Sequence, residues 1–231
     1  MPFSCPQAPT SGLTLDVQLT TVPVGTWLVR CHSNAFAGNS FNPNIGKDWT
    51  IPEHGARFSP FPDDRSRNVP HLYAADNFTA AALESVFHAV QHVPSPEFLS
   101  SQFEAWSYTE LELKRALSVF KLVNPNLRQL AVPGRSESLF ESELIHTQAD
   151  QYPNTRTWAY YLHLQIAMLH GLEWRPRLGG RGTAYIFFGD RCTSTDFVIR
   201  KGPTPLDKGD GLAEIKKVAT LANIRIINAA V

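Results

Sequence analysis

Apolar positions along the chain fall into a few periodic stretches separated by long aperiodic ones. The clearest begins at Leu72, where the run Leu72-Tyr73-Ala74-Ala75 reads as a short strand that turns at Asp76-Asn77 into an alanine-rich helix. Apolar residues then recur at Phe78, Ala82, Leu83, Val86, Phe87 and Val90, which is helical spacing with one buried side. Asp76, Asn77 or Thr79 supplies the cap, and Glu84 falls off the apolar stripe, which predicts that it looks outward. Upstream, Thr26 to Arg30 is an apolar strand; Leu13 to Thr21 alternates and fits an edge strand or a short helix.

Residues 33–52 show neither period. A loop of that length inside a domain is usually functional, and Phe36, Phe41 and Trp49 predict that it packs down on something. Glu97 to Trp106 reads as a short amphipathic segment. Tyr108 to Arg115 and Leu117 to Val123 alternate with period two, and a further short element is expected over Leu127 to Val132. Thr157 to Leu169 has helical spacing, with Gly171 expected to stop it. Strands are predicted over Leu172 to Pro176, Thr183 to Phe188 and Asp196 to Arg200, then a helix near Leu212 to Ala222 and a strand over Ile224 to Ile227. Helices and strands without regular βαβ alternation, and at least one hairpin-connected pair, predict an α+β fold with a mostly antiparallel sheet and flanking helices.

Composition narrows the options. The 231 residues suit one generous domain, read as 13–231 behind a loose, proline-rich arm over 1–12. Lys and Arg number 21 and Asp and Glu 21, so no global field recruits nucleic acid or an anionic membrane. No apolar run approaches the roughly 20 residues that span a bilayer, and the N-terminus lacks the pattern of a secretory signal. Three cysteines without paired spacing suggest neither a disulfide framework nor a cysteine zinc site, which fits a cytoplasmic protein. His88 and His92 are four apart and could share a metal on one helix face, but HExxH and a third ligand at fixed spacing are missing, so no metal is expected. The turn Gly179-Gly-Arg-Gly182 lacks the Gly-Lys-Ser/Thr ending of a P-loop.

The order Arg30 with His32, then Gly55-Ala56-Arg57-Phe58, then Leu72-Tyr73-Ala74-Ala75, then Ala82-Leu83-Glu84 resembles the RES domain family. That family is named for an arginine, a glutamate and a serine, and many members are the toxin halves of bacterial toxin–antitoxin pairs. The resemblance runs from about Trp27 to about Asp190. It implies a bent sheet similar to that of ADP-ribosyltransferase toxins, a cleft for NAD as substrate, and cleavage of the nicotinamide–ribose bond by a glycohydrolase or phosphorylase, or transfer of ADP-ribose to protein. It implies that Arg30 and Arg57 grip phosphate, that Tyr73 lies against nicotinamide or a ribose, and that Glu84 addresses the ribose of the scissile bond. Glu84 and Arg30 would be catalytic, with His32 an Arg-x-His match. The implied partner is an antitoxin covering the cleft; direct nucleic-acid and membrane binding are not expected, and a homo-oligomer stays open.

One departure stands out. Aligning Gly171-Leu-Glu-Trp-Arg-Pro-Arg177 on the family's Gly-Ile-x-Tyr-x-Ser puts Pro176 at the serine position, where it offers neither hydroxyl nor N–H. Arg177, Arg175 or Thr183 are the available substitutes for that contact. The alternative is a catalytically impaired relative that binds NAD or a protein. Structurally, each site residue also has a plain reading: ion-paired arginines, a core tyrosine, a hydrogen-bonded histidine.

Overall fold

A computed structural model describes residues 5–9, 15, 17–88, 90, 93–130, 134, 136–176 and 182–228. In chain order the strands and helices are β1 Thr20–Val22, β2 Trp27–Ser33, β3 His71–Ala75, α1 Phe78–Glu84, β4 Glu97–Leu99, β5 Trp106–Leu113 and β6 Leu117–Lys121. Then follow α2 Glu137–Ile145, α3 Tyr152–Gln165, β7 Gly171–Trp174, β8 Ala184–Phe188, β9 Phe197–Pro205, α4 Gly209–Leu221 and β10 Arg225–Ile227. The class is α+β. Eight strands form one sheet in the order β1-β6-β7-β8-β3-β2-β5-β9, antiparallel throughout except for β6 with β7. β10 pairs in parallel with β4 in a separate two-stranded sheet.

The strand order forces the large sheet to bend. β5 and β6 are joined by Lys114–Ala116, a connection that reaches at most about 14 Å. Five steps across a flat sheet would separate them by about 24 Å. The sheet therefore curls until its two ends approach, and Leu28, Leu72, Leu111, Leu113, Leu117, Val119, Phe187 and Phe197 fill the inside of the curl. The two most clearly alternating strands are thus neighbours in sequence that never pair; the consecutive strands that do form an adjacent antiparallel pair include β7 with β8.

Helices cover the two halves separately. α2 and α3 pack with Phe58, Phe61, Phe120, Leu172, Trp174 and Ile186. α1 and α4 pack with Cys31, Ala75, Phe98, Phe103 and Tyr108. α3 ends at Gln165, so Gly171 is not its stop. A Cβ at Gly171 would lie 2.1 Å from the Ile186 carbonyl oxygen, so the glycine lets β7 pass close to β8. α2 has no counterpart in the sequence reading. Residues 5–8, read from composition as part of a loose arm, lie along α3 instead: Trp158 Nε1 donates to Pro6 O at 2.8 Å, Asn154 Nδ2 to Cys5 O at 2.9 Å, and Cys5 is buried.

α1 starts as its sequence predicts. The Asn77 side chain accepts from Ala80 N at 2.9 Å, and Ala80 to Leu83 are buried against the sheet. It stops two turns in, earlier than the apolar spacing through Val90 predicts. Ser85 Oγ donates back to Ala81 O, Phe87 N reaches Ala82 O at 3.0 Å, and the Phe87 ring meets Phe98 and Phe103 edge-on at 5.0 and 6.1 Å. Packing of one aromatic side chain outweighs the helical period there. His88 therefore lies beyond the helix, and His92 lies outside the described residues. Among the described residues no three His, Cys, Asp or Glu side chains come together as a metal site. Among the described residues no helix is long and apolar enough to cross a membrane.

Candidate functional site

The cleft begins where two strands part. β2 and β3 share a single register pair, Val29 with Ala75, although each is fully paired on its other side. Arg30 and His32 share one face of β2, and His71 and Tyr73 share one face of β3, because side chains alternate along a strand. Beyond Val29 the strands diverge, and both sets line one cleft of about 380 Å³, with Glu84 at the end of α1 on its wall. Phe36, Trp106, Lys47, His54 and His88 complete it with Gly55 and Ala56. That volume lies within the range of about 300–1,000 Å³ typical of small-ligand sites.

Arg30 is buried at the base. Its Nη1 donates to Gly38 O at 3.0 Å and, more closely, to Ser40 O, so the loop after β2 folds over it. Gly38 makes this approach possible, since a Cβ there would stand 2.4 Å from Thr109 Oγ1. Burial lowers the Arg30 pKa to about 10, which leaves the guanidinium charged at neutral pH. His32 has both ring nitrogens engaged, with Ser33 O at 3.0 Å and Thr109 Oγ1 at 2.8 Å. Burial depresses its pKa, so it is a neutral, hydrogen-bonded wall residue.

Arg57 borders a narrow crevice off the cleft together with Tyr73, Glu84, His88 and Tyr152. α3 sets its position: Thr155 Oγ1 holds the Arg57 carbonyl, and Arg156 Nε donates to Ala56 O at 2.9 Å. The Arg57 guanidinium lies over the Tyr152 ring at 5.1 Å, with Nη1 donating to Leu144 O, Thr147 O and Thr147 Oγ1 at 3.2, 3.3 and 2.9 Å. Half of this arginine is thus committed to the end of α2 and the loop after it, and its Nε is left as a buried donor without an acceptor among the described residues.

Glu84, expected to look outward, is half-buried in the cleft wall. Trp174 Nε1 on β7 donates to its Oε2 at 3.1 Å, and Trp174 itself stands edge-on to Phe58 and Tyr73 at 5.2 and 5.9 Å. Tyr73 Oη accepts from Phe58 N at 3.2 Å and from Ser59 Oγ at 3.3 Å, and burial pushes its pKa up to about 12. Pro176 is buried just past β7, Arg175 beside it is exposed and Thr183 is half-buried; Arg177 lies outside the described residues.

The sequence reading missed the polar residues behind Tyr73. His71 is two positions before Tyr73, so strand alternation alone could have placed it on the same face. Asn44 and Ser59 had no such signal, since both sit in aperiodic chain. Phe36 and Trp106 add aromatic surface that the reading did not assign to the cleft.

The model of a family described as "RES domain" fits residues 28–207 of the chain. No curated protein and no solved structure matches the chain.

Proposed function

This chain belongs to the RES domain family, which is associated with NAD-related toxin activity, and on that premise we propose that it consumes NAD by cleaving the nicotinamide–ribose bond. The observation that carries the proposal is the meeting of Arg30, Tyr73 and Glu84, from three separate elements, around one cleft. Bond cleavage asks little covalent work of a protein. The C1′–N bond breaks with its electron pair passing to nicotinamide, which leaves neutral, while the ribose becomes cation-like as in glycoside cleavage. In this reading the Glu84 carboxylate faces the developing positive charge, and Arg30 and the free edge of Arg57 hold pyrophosphate oxygens. Tyr73, Phe36 and Trp106 offer the apolar walls that nicotinamide and adenine need. Water or inorganic phosphate then attacks C1′, which separates glycohydrolase from phosphorylase; a protein side chain in that place makes an ADP-ribosyltransferase. The biological setting we propose is that of a cytoplasmic toxin whose cleft an antitoxin protein covers.

Two observations favour a second reading, an NAD-binding relative of reduced turnover. Pro176 stands where the family serine is expected, and Arg30 Nη1 and Arg57 Nη1 already have protein acceptors. Incubating the purified chain with NAD, with and without phosphate, and identifying nicotinamide and the ribosyl product separates the readings. Nicotinamide release supports an enzyme. Binding of NAD without release supports the scaffold, and neither binding nor release sinks both.

A further inference from the structure

Behind Tyr73 a chain of side chains runs back into the loop after β2, and its hydrogen-bond direction can be read atom by atom. Asn44 Nδ2 donates to Val69 O at 3.0 Å, and because a carbonyl only accepts, this fixes which end of the amide is nitrogen. The same nitrogen lies 2.8 Å from His71 Nδ1, which must then accept. A neutral imidazole accepting at Nδ1 carries its hydrogen on Nε2, and Nε2 is 3.2 Å from Ser59 Oγ. Burial, with Arg30 nearby, holds the His71 pKa at about 3, so the ring stays neutral. Ser59 Oγ, receiving from His71, donates to Tyr73 Oη, which also receives from Phe58 N. Both acceptor positions of the tyrosine oxygen are then filled.

Asn44 is built for this place. It is 4 % exposed while Ile45 beside it is 85 % exposed, an inversion of the usual preference, and it holds φ at +55°. We infer that Asn44, His71 and Ser59 are positioning residues that pass hydrogen-bond direction one way and present the Tyr73 hydroxyl as a donor to a ligand oxygen in the crevice beside Glu84. The crevice, about 10 Å³, has room for one oxygen. What that oxygen belongs to rests on the NAD reading above; the relay itself does not.

The test is ¹⁵N imidazole NMR of the full chain, read beside nicotinamide release from NAD, for the wild type, Asn44→Asp and Ser59→Ala. A carboxylate at position 44 accepts from Nδ1–H and so inverts the ring, drawing the Ser59 hydrogen toward His71 and away from Tyr73. Expected are the Nε2–H tautomer in the wild type, Nδ1–H in Asn44→Asp, and a kcat lower by about 10-fold in both variants with KM changed less than about 2-fold. Ser59→Ala keeps the wild-type tautomer and serves if the aspartate variant folds poorly. An Nδ1–H ring in the wild type, or full kcat in Ser59→Ala of an active enzyme, overturns the relay. A wild type that releases no nicotinamide while His71 is Nε2–H and inverts in Asn44→Asp removes the NAD reading and leaves the relay standing.

Discussion

Trp174 Nε1 donates to Glu84 Oε2 at 3.1 Å, tying the carboxylate at the end of α1 to a buried ring on β7, in the other half of the sheet. The bond turns toward the cleft a side chain that the helical pattern alone would send to solvent. Trp174→Phe keeps the edge contacts with Phe58 and Tyr73 and removes the donor, so nicotinamide release should fall by about 10-fold while the fold persists. Glu84→Gln keeps an acceptor for Trp174 and removes the charge; release should fall by about 10²–10³-fold. Wild-type rates in both variants would take Glu84 out of the chemistry.

Arg30 has two tasks that one substitution can separate. Its Nη1 clamps Gly38 O and Ser40 O, and the proposed function assigns the rest of its planar fork to phosphate. Arg30→Lys retains the charge and loses the fork. The expected result is a KM for NAD raised by about 10-fold with a smaller change in kcat, and faster proteolysis within residues 36–40. An unchanged KM would mean that Arg30 serves the loop alone.

The candidate site residues were legible through the family resemblance, which rests on the order of Arg30 with His32, then Arg57, Tyr73 and Glu84; the local helical pattern alone sent Glu84 outward. What stayed hidden depends on partners far away in the chain. Leu144 and Thr147, which take up Arg57 Nη1, are 87 and 90 residues downstream of it. The helix overran in the reading because Val86, Phe87 and Val90 keep a helical period, whereas Phe87 in fact answers to Phe98 and Phe103. β5 and β6 are consecutive in the chain and joined by a short connection; only the curl of the sheet, set by all eight strands, reveals that they belong to opposite halves.

Arg156 offers a test of how the cleft rim is held. It is fully buried with no ion-paired carboxylate among the described residues, and its guanidinium donates to Trp49 O, Ile51 O, Pro52 O and Ala56 O at 2.8–2.9 Å. Those carbonyls belong to the segment that carries Glu53, His54 and Gly55 into the cleft. Arg156→Met keeps much of the volume and leaves the four acceptors without their donor. Stability should fall by about 3 kcal/mol or more, lowering Tm by roughly 6–12 °C for a chain of this size. A Tm within about 2 °C of wild type would show that water replaces the guanidinium without cost.

The depressed pKa of His71 makes a signed prediction for stability against pH. Its folded pKa of about 3 lies below the ordinary 6.5 because burial, and then Arg30, disfavour the imidazolium. Above about pH 6.5 the ring is neutral in both folded and unfolded chains and contributes no pH dependence. Between about 6.5 and 3 the unfolded chain binds a proton that the folded chain does not, so stability is lost as pH falls, by up to about 1.4 kcal/mol per pH unit. His32 and His170 are depressed in the same direction and add to the slope in the wild type. Comparing wild type with His71→Gln cancels both of them. Urea unfolding from pH 6.5 to 4.5, above most carboxylate titration, should give a slope smaller in the variant by about one proton's worth. Parallel slopes would mean that His71 takes up a proton in the folded protein as readily as in the unfolded chain, and a neutral His71 accepting from Asn44 would then fail with it.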